Sequence, residues 1–269
     1  MAEYPTVAGE ILRRIRETKP VVHSITNYVV MNTTANALLA IGASPVMAHA
    51  IEEVEEMAGI ARALVINIGT LSAPWVDAML KAGLEARKRG IPIVLDPVGS
   101  GATRFRTATT QRLLDSLSPA ILRGNASEIR SLVHAGQSTK GVDSTHESEE
   151  ALHAARVLAG RFGCVVSLSG AVDIVVAADS VIRIANGHPM LTRVTGMGCT
   201  ASALTGAFAA VNPSPLKASA HAMAIMGIAG EIAAERSAGP GSLQVNFLDV
   251  LHTIQEPEIE RRLKIEAEA

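Results

Sequence analysis

The sequence has few cysteines, few aromatic residues and little net charge. Its two cysteines, Cys164 and Cys199, are too few for the disulfide framework of a small secreted domain. Aromatic residues make up 3% of the 269 residues and the net charge is −2, which excludes a basic, ring-lined surface for nucleic acid. The charged N-terminal segment is no signal peptide, and no apolar run is long enough to span a bilayer. These absences predict a soluble cytoplasmic protein with no nucleic-acid or membrane partner.

Short apolar runs alternate with longer helical segments along the whole chain. The runs at 63–68, 92–95, 120–122 and 164–168 are continuously apolar, which is typical of strands buried on both faces. Such strands alternating with helices predict an α/β fold, with a mostly parallel central sheet covered by helices on both faces. Because no linker, repeat or low-complexity block interrupts the pattern, we expect a single domain over residues 1–269.

Hydrophobic spacing and turn residues predict the other elements. Further strands are expected at 21–22 and at the end of the stretch 42–47, and a hairpin is expected between 174 and 185. Residues 135–146 are predicted to form a loop, and the residues after 254 a polar tail. The predicted helices cover 5–19, 31–41, 73–88, 126–134, 149–161, 199–211, 216–236 and 245–254, and the acidic run at 52–56 is interpreted as the solvated face of a further helix.

Polar and small residues follow the predicted strands where each strand ends. In parallel α/β folds ligands bind at the carboxyl ends of the strands, so these residues should lie along one edge of the sheet together with 196–199. The strand-end residues are Asn67, Gly69, Thr70, Asp96, Arg123, Asn125, Ser169 and Gly170. Their convergence predicts a binding site at this edge.

The segment 194–203 has the character of a glycine turn that leads into a buried helix. Gly196 and Gly198 allow a tight turn, and the start of a helix presents unpaired N–H groups to an anion such as phosphate. Cys199 falls in the first turn, where the pKa of a thiol is lowered, so it is a candidate reactive group.

Three interpretations of this segment compete. It can be a plain turn with a small buried cysteine. It can be a dinucleotide fingerprint, but no acidic residue lies between Asp179 and Glu231 to bind a ribose, which disfavours that interpretation. It can be a phosphoryl-transfer site, which requires residues elsewhere in the chain that handle a metal ion.

Asp96 and Glu128 are the candidates for that metal site. Mg²⁺ binds one or two carboxylates together with phosphate oxygens and waters. The alternatives are a turn residue for Asp96 and a capping-box partner of Asn125 for Glu128. Arg123 can pair with phosphate or with a surface carboxylate. The chain contains no Walker A pattern, so a P-loop NTPase is excluded.

These motifs resemble those of the ribokinase-like kinases. Asn125-x-x-Glu128 followed by Gly196-x-Gly198-Cys199 is similar to their N-x-x-E motif and their late anion hole. Most members carry aspartate at the last position, and the cysteine variant resembles the hydroxyethylthiazole kinase family of thiamine salvage. The stretches that carry this resemblance are 22–27, 67–71, 96–99, 186–189 and 194–199. The resemblance implies a three-layer ribokinase-like fold and phosphorylation of 4-methyl-5-(2-hydroxyethyl)thiazole by ATP with Mg²⁺.

The resemblance also implies the residues of the acceptor side. Met47 would line the thiazole pocket, Asn27 would lie near the thiazole, and the backbone at Gly196 would meet the substrate. Cys199 would lie against the hydroxyethyl group as the catalytic residue. Because the family is trimeric with the site between subunits, Met47 and Cys199 of one site are expected to come from different chains of a homotrimer.

On the nucleotide side, the resemblance implies that Arg123 and Ser169 contact ATP and that Asp96 and Glu128 hold Mg²⁺. Gly141 and Asp143 in the 135–146 loop are further candidates for a nucleotide contact. The anion hole would consist of Gly196, Met197, Gly198 and Cys199.

Several alternatives remain open at this point. Within the same kinase class, a relative that phosphorylates hydroxymethylpyrimidine is the nearest one. A cysteine hydrolase would pair Cys199 with His23 or His188. A non-catalytic sensor would bind the thiazole or a nucleotide without releasing ADP. For a kinase, the Cys199 thiol can orient the acceptor hydroxyl or, as a thiolate, accept its proton late.

Overall fold

The computed structural model describes residues 3–133 and 144–268, which form one sheet between two layers of helices. The strands are β1 Val21–Ile25, β2 Ser44–Val46, β3 Ala63–Asn67, β4 Ile93–Asp96, β5 Ile121–Asn125, β6 Val165–Ser169, β7 Asp173–Ala177, β8 Ser180–Ile184 and β9 Ile265–Glu268. The helices are α1 Glu3–Thr18, α2 Met31–Ile41, α3 Val54–Ile60, α4 Ala73–Lys88, α5 Arg104–Leu117, α6 Ala126–Val133, α7 Ser144–Phe162, α8 Met197–Ala209, α9 Pro215–Glu235, α10 Pro240–Thr253 and α11 Glu256–Arg262. A short 3₁₀ helix, Pro189–Arg193, precedes α8.

The order of the strands in the sheet is β2-β1-β3-β4-β5-β6-β7-β8-β9. The strands from β2 to β6 pair in parallel, and β7, β8 and β9 extend the sheet in antiparallel fashion. The mostly parallel sheet that the sequence predicts is therefore confirmed.

Alternate residues of the strands face different helical layers, as the period of a strand requires. Val65 of β3 belongs to the hydrophobic core that α1, α2 and α8–α11 cover. Its neighbours Leu64 and Ile66 belong to the core covered by α3–α7. The continuously apolar strands thus bury both faces, which confirms the predicted three-layer arrangement.

The direction in which successive strands are added to the sheet reverses after β2. The chain passes from β1 to β2 on one side and then to β3 on the other. The segment after β1 leads to α2 in one helical layer, whereas the segment after β3 leads to α4 in the other. Diverging loops of this kind open a crevice at the carboxyl ends of the strands. Asn27 and Asn67 lie at this crevice.

The structure corrects the predicted elements in three places. The helix α5 was not predicted, because its buried face includes Thr109 and Thr110 and its apolar periodicity is weak. The predicted polar tail is wrong, because α11 packs through Ile259 and β9 pairs with β8. The helix α7 begins at Ser144 rather than at 149, and the remainder of the 135–146 loop, with Gly141 and Asp143, lies outside the described residues. Of the helices described, none combines the length and apolar character that crossing a membrane demands.

Candidate active site

The N-terminus of α8 has the geometry of an anion-binding site. Gly196 is its N-cap with φ +83°, a left-handed conformation that favours glycine. In the described part of the chain no side chain caps this end, and the amide of Thr200 makes the first bond of the helix, 2.8 Å to Gly196 O. The amides of Met197, Gly198 and Cys199 precede that bond, so they and the helix dipole face outward, as phosphate binding requires.

A chain of buried hydrogen bonds crosses the sheet edge beneath this helix. Asn27 Nδ2 lies 2.8 Å from Asn67 Oδ1 and 3.5 Å from Cys199 Sγ. Asn67 Nδ2 donates to Asp96 Oδ2 at 2.7 Å, and Ser202 Oγ donates to the same oxygen at 2.7 Å. The structure therefore brings Asn27, Asp96 and Cys199 together.

Asp96 and Arg123 place opposite charges in the interior beside α8. Burial raises the pKa of the Asp96 carboxyl from 3.8 to about 6, and the positive charge of Arg123 opposes that shift. The Arg123 guanidinium is 5% exposed and donates to Gly198 O at 2.8 Å, which ties it to the first turn of α8. Its Nε has no hydrogen-bond partner among the described residues. A buried guanidinium with spare donors is suited to a phosphate.

A cavity of about 650 Å³ opens on the side of the α8 N-terminus that carries Arg123. Five predicted site residues line it: Arg123, Ser169, Gly196, Met197 and Gly198. The rest of its wall is Gly170, Ala171, Asp173, Asn186, Gly187, His188, Pro189, Leu191, Thr192, Val194, Ala201, Met223, Met226 and Gly227. This volume lies within the usual range of small-molecule sites, and its apolar wall with an arginine at one end suits a nucleotide.

Glu128 forms the capping box that the sequence allowed as an alternative. Its backbone N–H donates to Asn125 Oδ1, and its Oε2 accepts from the Asn125 N–H, both at 2.9 Å. Its Oε1 accepts from Gly99 N at 2.8 Å. Capping does not exclude a cation, because each carboxylate oxygen has a second lone pair.

The donor set fits Mg²⁺ bound with a nucleotide. Within residues 3–133 and 144–268 no cluster of three or more metal-ligating side chains occurs. Asp96 and Glu128 nevertheless lie close enough for the charge of Glu128 to raise the pKa of Asp96. A cation would relieve the cost of burying these carboxylates, and Mg²⁺ needs only one or two of them when phosphate oxygens and waters complete its shell.

The predicted activation of Cys199 by the helix terminus is wrong. Burial and the negative charge of Asp96 raise the pKa of its thiol from 9.0 to about 11, and hydrogen bonds from Asn67 and Asn27 only partly oppose this. Burial outweighs the helix dipole, so the group is a neutral thiol at pH 7. The described residues also give the hydrolase interpretation no base, because neither histidine has a hydrogen bond with Cys199. His23 Nε2 bonds to Ala48 O while its Nδ1 has no partner among those residues, and His188 Nδ1 accepts from Met190 N.

We expect alkylation of Cys199 by iodoacetamide to follow this raised pKa. Only the thiolate reacts, so the rate should stay low at neutral pH and rise tenfold per pH unit towards a midpoint near 11. The measurement is the pH–rate profile of labelling in a Cys164→Ala background, which leaves Cys199 as the single cysteine. A midpoint near 7 would contradict this assignment and favour a catalytic thiolate.

Met47 does not line the cavity of its own chain. It follows β2, and its carbonyl oxygen is 3.2 Å from His49 Nδ1. The His49 and Trp75 rings are 4.5 Å apart, and the Trp75 and Tyr28 rings are 4.7 Å apart. The exposed side of this aromatic group includes Tyr28, which is 66% exposed. The Met47 segment therefore adjoins an apolar surface.

Sequence reasoning assigned no role to three polar side chains of the site. Asn67 was named only among the strand-end residues, and Ser202 fell only within the segment 194–203, although both bond to Asp96. Arg106 of the unpredicted α5 donates to the carbonyls of Ile68 and Gly69 and fixes the segment after β3. A buried Asn at a strand end was the one available signal, since amides are seldom buried without a partner.

Known proteins resemble this chain over nearly its whole length. The model of the hydroxyethylthiazole kinase family matches residues 12–257. A hydroxyethylthiazole kinase from Syntrophus aciditrophicus is 60% identical over 257 residues, which are 95% of each chain. The structure of the hydroxyethylthiazole kinase protein from Pyrococcus horikoshii OT3 superimposes with a TM-score of 0.91 and 46% identity, over 98% of this chain and 100% of that one. A pyridoxal kinase from Staphylococcus aureus shares the fold alone, with a TM-score of 0.65 and 15% identity over 93% of this chain and 98% of that one. The fold is ribokinase-like. The chain belongs to the hydroxyethylthiazole kinase family.

Proposed function

We propose that this protein transfers the γ-phosphoryl group of ATP to the hydroxyl of 4-methyl-5-(2-hydroxyethyl)thiazole, a step of thiamine salvage. The observation that carries the proposal is the position of the open α8 N-terminus. It borders the 650 Å³ cavity on one side and the Cys199–Asn27 contact on the other. A phosphoryl group at these amides would therefore lie between a nucleotide in the cavity and an alcohol at Cys199.

In this reaction the hydroxyl oxygen of the thiazole forms a bond to the γ-phosphorus while the bond to the bridging oxygen of ADP breaks. The transition state is loose, so positioning and charge stabilisation contribute most of the rate. The amides of Gly198 and Cys199 would stabilise the transferred oxygens, and Arg123 would stabilise the charge that develops towards ADP. Ser169 offers its hydroxyl to the nucleotide from the cavity wall.

Asp96 and Glu128 would hold the Mg²⁺ that accompanies ATP and neutralises phosphate charge. Asp96 accepts from Ser202 in α8, and Glu128 lies close enough to Asp96 for its charge to raise the pKa of that carboxyl. Because ATP is the co-substrate and both cysteines are unpaired, we place the protein in the cytoplasm.

Cys199 would orient the acceptor hydroxyl as a neutral thiol. Its sulfur accepts an N–H from Asn27, so the two side chains form one surface against the hydroxyethyl group. A loose transition state makes little demand for a strong base, because the proton leaves late. Cys199 would then add only a modest factor to the rate.

The test is ADP release in the presence of Mg-ATP, measured with hydroxyethylthiazole, with hydroxymethylpyrimidine and with no acceptor. We expect release that depends on the thiazole, together with the phosphorylated thiazole as product. Release with the pyrimidine alone would be consistent with the proposed phosphoryl-transfer site but would show that the acceptor is hydroxymethylpyrimidine and not the thiazole. Thiazole binding without ADP release by folded protein would replace the kinase with a sensor.

We further propose a homotrimer in which Met47 and Cys199 of one thiazole site belong to different subunits. Within one chain Met47 does not line the cavity, and its carbonyl oxygen contacts His49, whose ring is linked through the Trp75 ring to Tyr28. Tyr28 and its neighbour Val29 are 66% and 62% exposed. Exposed apolar residues at the rim of an incomplete pocket are suited to a subunit interface.

Mixed assemblies should show whether the site is shared. Met47→Glu and Asp96→Asn subunits are each expected to be inactive alone. When both are co-expressed in equal amounts, about one quarter of the sites in a cyclic trimer combine an intact Met47 with an intact Asp96. Activity near that fraction, in particles of trimeric mass by light scattering, is the expected result. A mixed assembly as inactive as its parents would place both residues of a site in one chain.

A further inference from the structure

One buried amide, Asn67, joins the acceptor side of the site to its carboxylate side. It ends β3 and is 1% exposed. Its oxygen accepts from Asn27 Nδ2 at 2.8 Å and from the Gly69 backbone N–H at 3.0 Å. Its nitrogen donates to Asp96 Oδ2 at 2.7 Å. The same side chain therefore contacts the amide that faces Cys199 and the carboxylate beneath α8, and it also forms a hydrogen bond with the Cys199 thiol.

The backbone fixes the direction of these hydrogen bonds. A backbone N–H can only donate, so the Asn67 atom that meets Gly69 N is the oxygen, and the amino group must face Asp96. For the same reason Val29 N, 3.1 Å from Asn27 Oδ1, sets the amino group of Asn27 towards Asn67 and Cys199. Turning either amide over would leave a buried backbone donor without its acceptor, which is costly.

Packing holds the pair in this arrangement. A Cβ at position 69 would collide with the Asn27 amide, so only glycine leaves room for it. Arg106 bonds to the carbonyl oxygens of Ile68 and Gly69 and keeps that segment in place. Asn67 does not line the cavity, so contacts to a nucleotide there do not include it.

We propose that Asn67 is a positioning residue for the phosphoryl transfer, which holds the Asn27 amide against Cys199 and the Asp96 carboxylate beneath α8 in one fixed arrangement. This inference rests on the proposed function and deepens it. Its effect should fall on the chemical step, because the geometry it fixes matters when the acceptor attacks. It should not fall on nucleotide binding.

The test compares Asn67→Ala and Asn67→Asp with the wild type. The aspartate is nearly isosteric and retains acceptors for Gly69 and Asn27. It replaces the amino group that donates to Asp96 with an acidic oxygen, so the two carboxyl groups must repel each other or share one proton. We expect kcat per folded molecule to fall by about 10- to 100-fold in both, with the KM for ATP within about twofold. Thr34→Val, which removes a buried hydroxyl bonded only within α2 and to Val30, is the control and should retain its kcat.

Two further readouts separate positioning from a purely structural role. In a double-mutant cycle of Asn27→Ala and Asn67→Ala, the double variant should lose less kcat than the product of the two single fold-losses, because the residues act through one another. A crystal structure of the Asn67→Ala protein should show that the 3.5 Å contact between Asn27 and Cys199 is lost. Full multiplication of the losses, a preserved contact, or a kcat within about twofold of wild type would each overturn the inference. Wild-type ADP release with and without thiazole reports separately on the proposed function.

Discussion

Replacing Asp96 with asparagine should lower kcat by roughly 1,000-fold while the fold becomes more stable. Asparagine is nearly isosteric and offers an oxygen to both Asn67 and Ser202, so the buried hydrogen bonds can persist. What is lost is the negative charge that would hold Mg²⁺ beside the transferred phosphoryl group. The loss should appear in kcat at saturating thiazole and Mg-ATP.

The expected gain in stability follows from the direction of the pKa shift. Folding raises the pKa of Asp96 from 3.8 to about 6, so the folded state penalises the charged form. This destabilisation of the folded state is absent below pH 3.8, grows between pH 3.8 and about 6, and reaches about 3 kcal/mol at higher pH. Asp96→Asn should therefore raise the free energy of unfolding more at pH 8 than at pH 5, as measured by urea denaturation.

Asp173 provides a matched control for the effect of Asp96→Asn on stability. Burial likewise raises its pKa to about 6, but its hydrogen bond goes to Gly170 rather than to the polar chain beneath α8. Asp173→Asn should therefore gain stability with the same pH dependence. Because Asp173 lines the proposed nucleotide cavity, kcat is compared instead with Thr34→Val, and equal losses of kcat in Thr34→Val and Asp96→Asn would contradict a specific role for Asp96.

Replacing Gly196 with alanine should lower kcat at least 100-fold and also destabilise the protein. The φ of +83° costs a residue with a Cβ about 1–2 kcal/mol, and the added Cβ would collide with Val30 Cγ1. The α8 N-terminus must shift to relieve that collision, which displaces the amides that face the phosphate. Steady-state kinetics and urea unfolding should show both losses.

A helical glycine far from the site separates this effect from the general cost of alanine. Gly160 lies in α7 with open space around its Cα, so Gly160→Ala should be neutral or stabilise by up to about 1 kcal/mol. Adding Val30→Ala to Gly196→Ala should recover part of the stability, because it removes the collision but not the strained φ. If Gly196→Ala retained the wild-type kcat, glycine at position 196 would not be required to position the α8 amides.

The arrangement of layers could be predicted from the sequence because the strands are short and continuously apolar. Runs such as 63–68 have no polar face, so they fit only a sheet covered on both sides. Elements whose buried face is polar or very small escaped prediction. The helix α5 buries two threonines, and β9 pairs with β8 through a segment rich in glutamate.

The candidate site could be predicted residue by residue but not as a network. Helix starts and strand ends are local features, so Gly196, Asp96 and Arg123 could be found individually. The environment of Cys199 is not local, because Asp96 and the burial that raise its pKa come from distant parts of the chain. The link from Asn27 through Asn67 to Asp96 likewise depends on the register of three strands, which no sequence spacing encodes.

The central claim is that phosphoryl transfer takes place at the α8 N-terminus, between the cavity and Cys199. It is tested most directly by a crystal structure with hydroxyethylthiazole, Mg²⁺ and a non-hydrolysable ATP analogue. We predict the nucleotide in the cavity beside Arg123, its terminal phosphate at the Gly198 and Cys199 amides, and the thiazole hydroxyl against Cys199. A nucleotide bound elsewhere, or a thiazole remote from Cys199, would contradict the account.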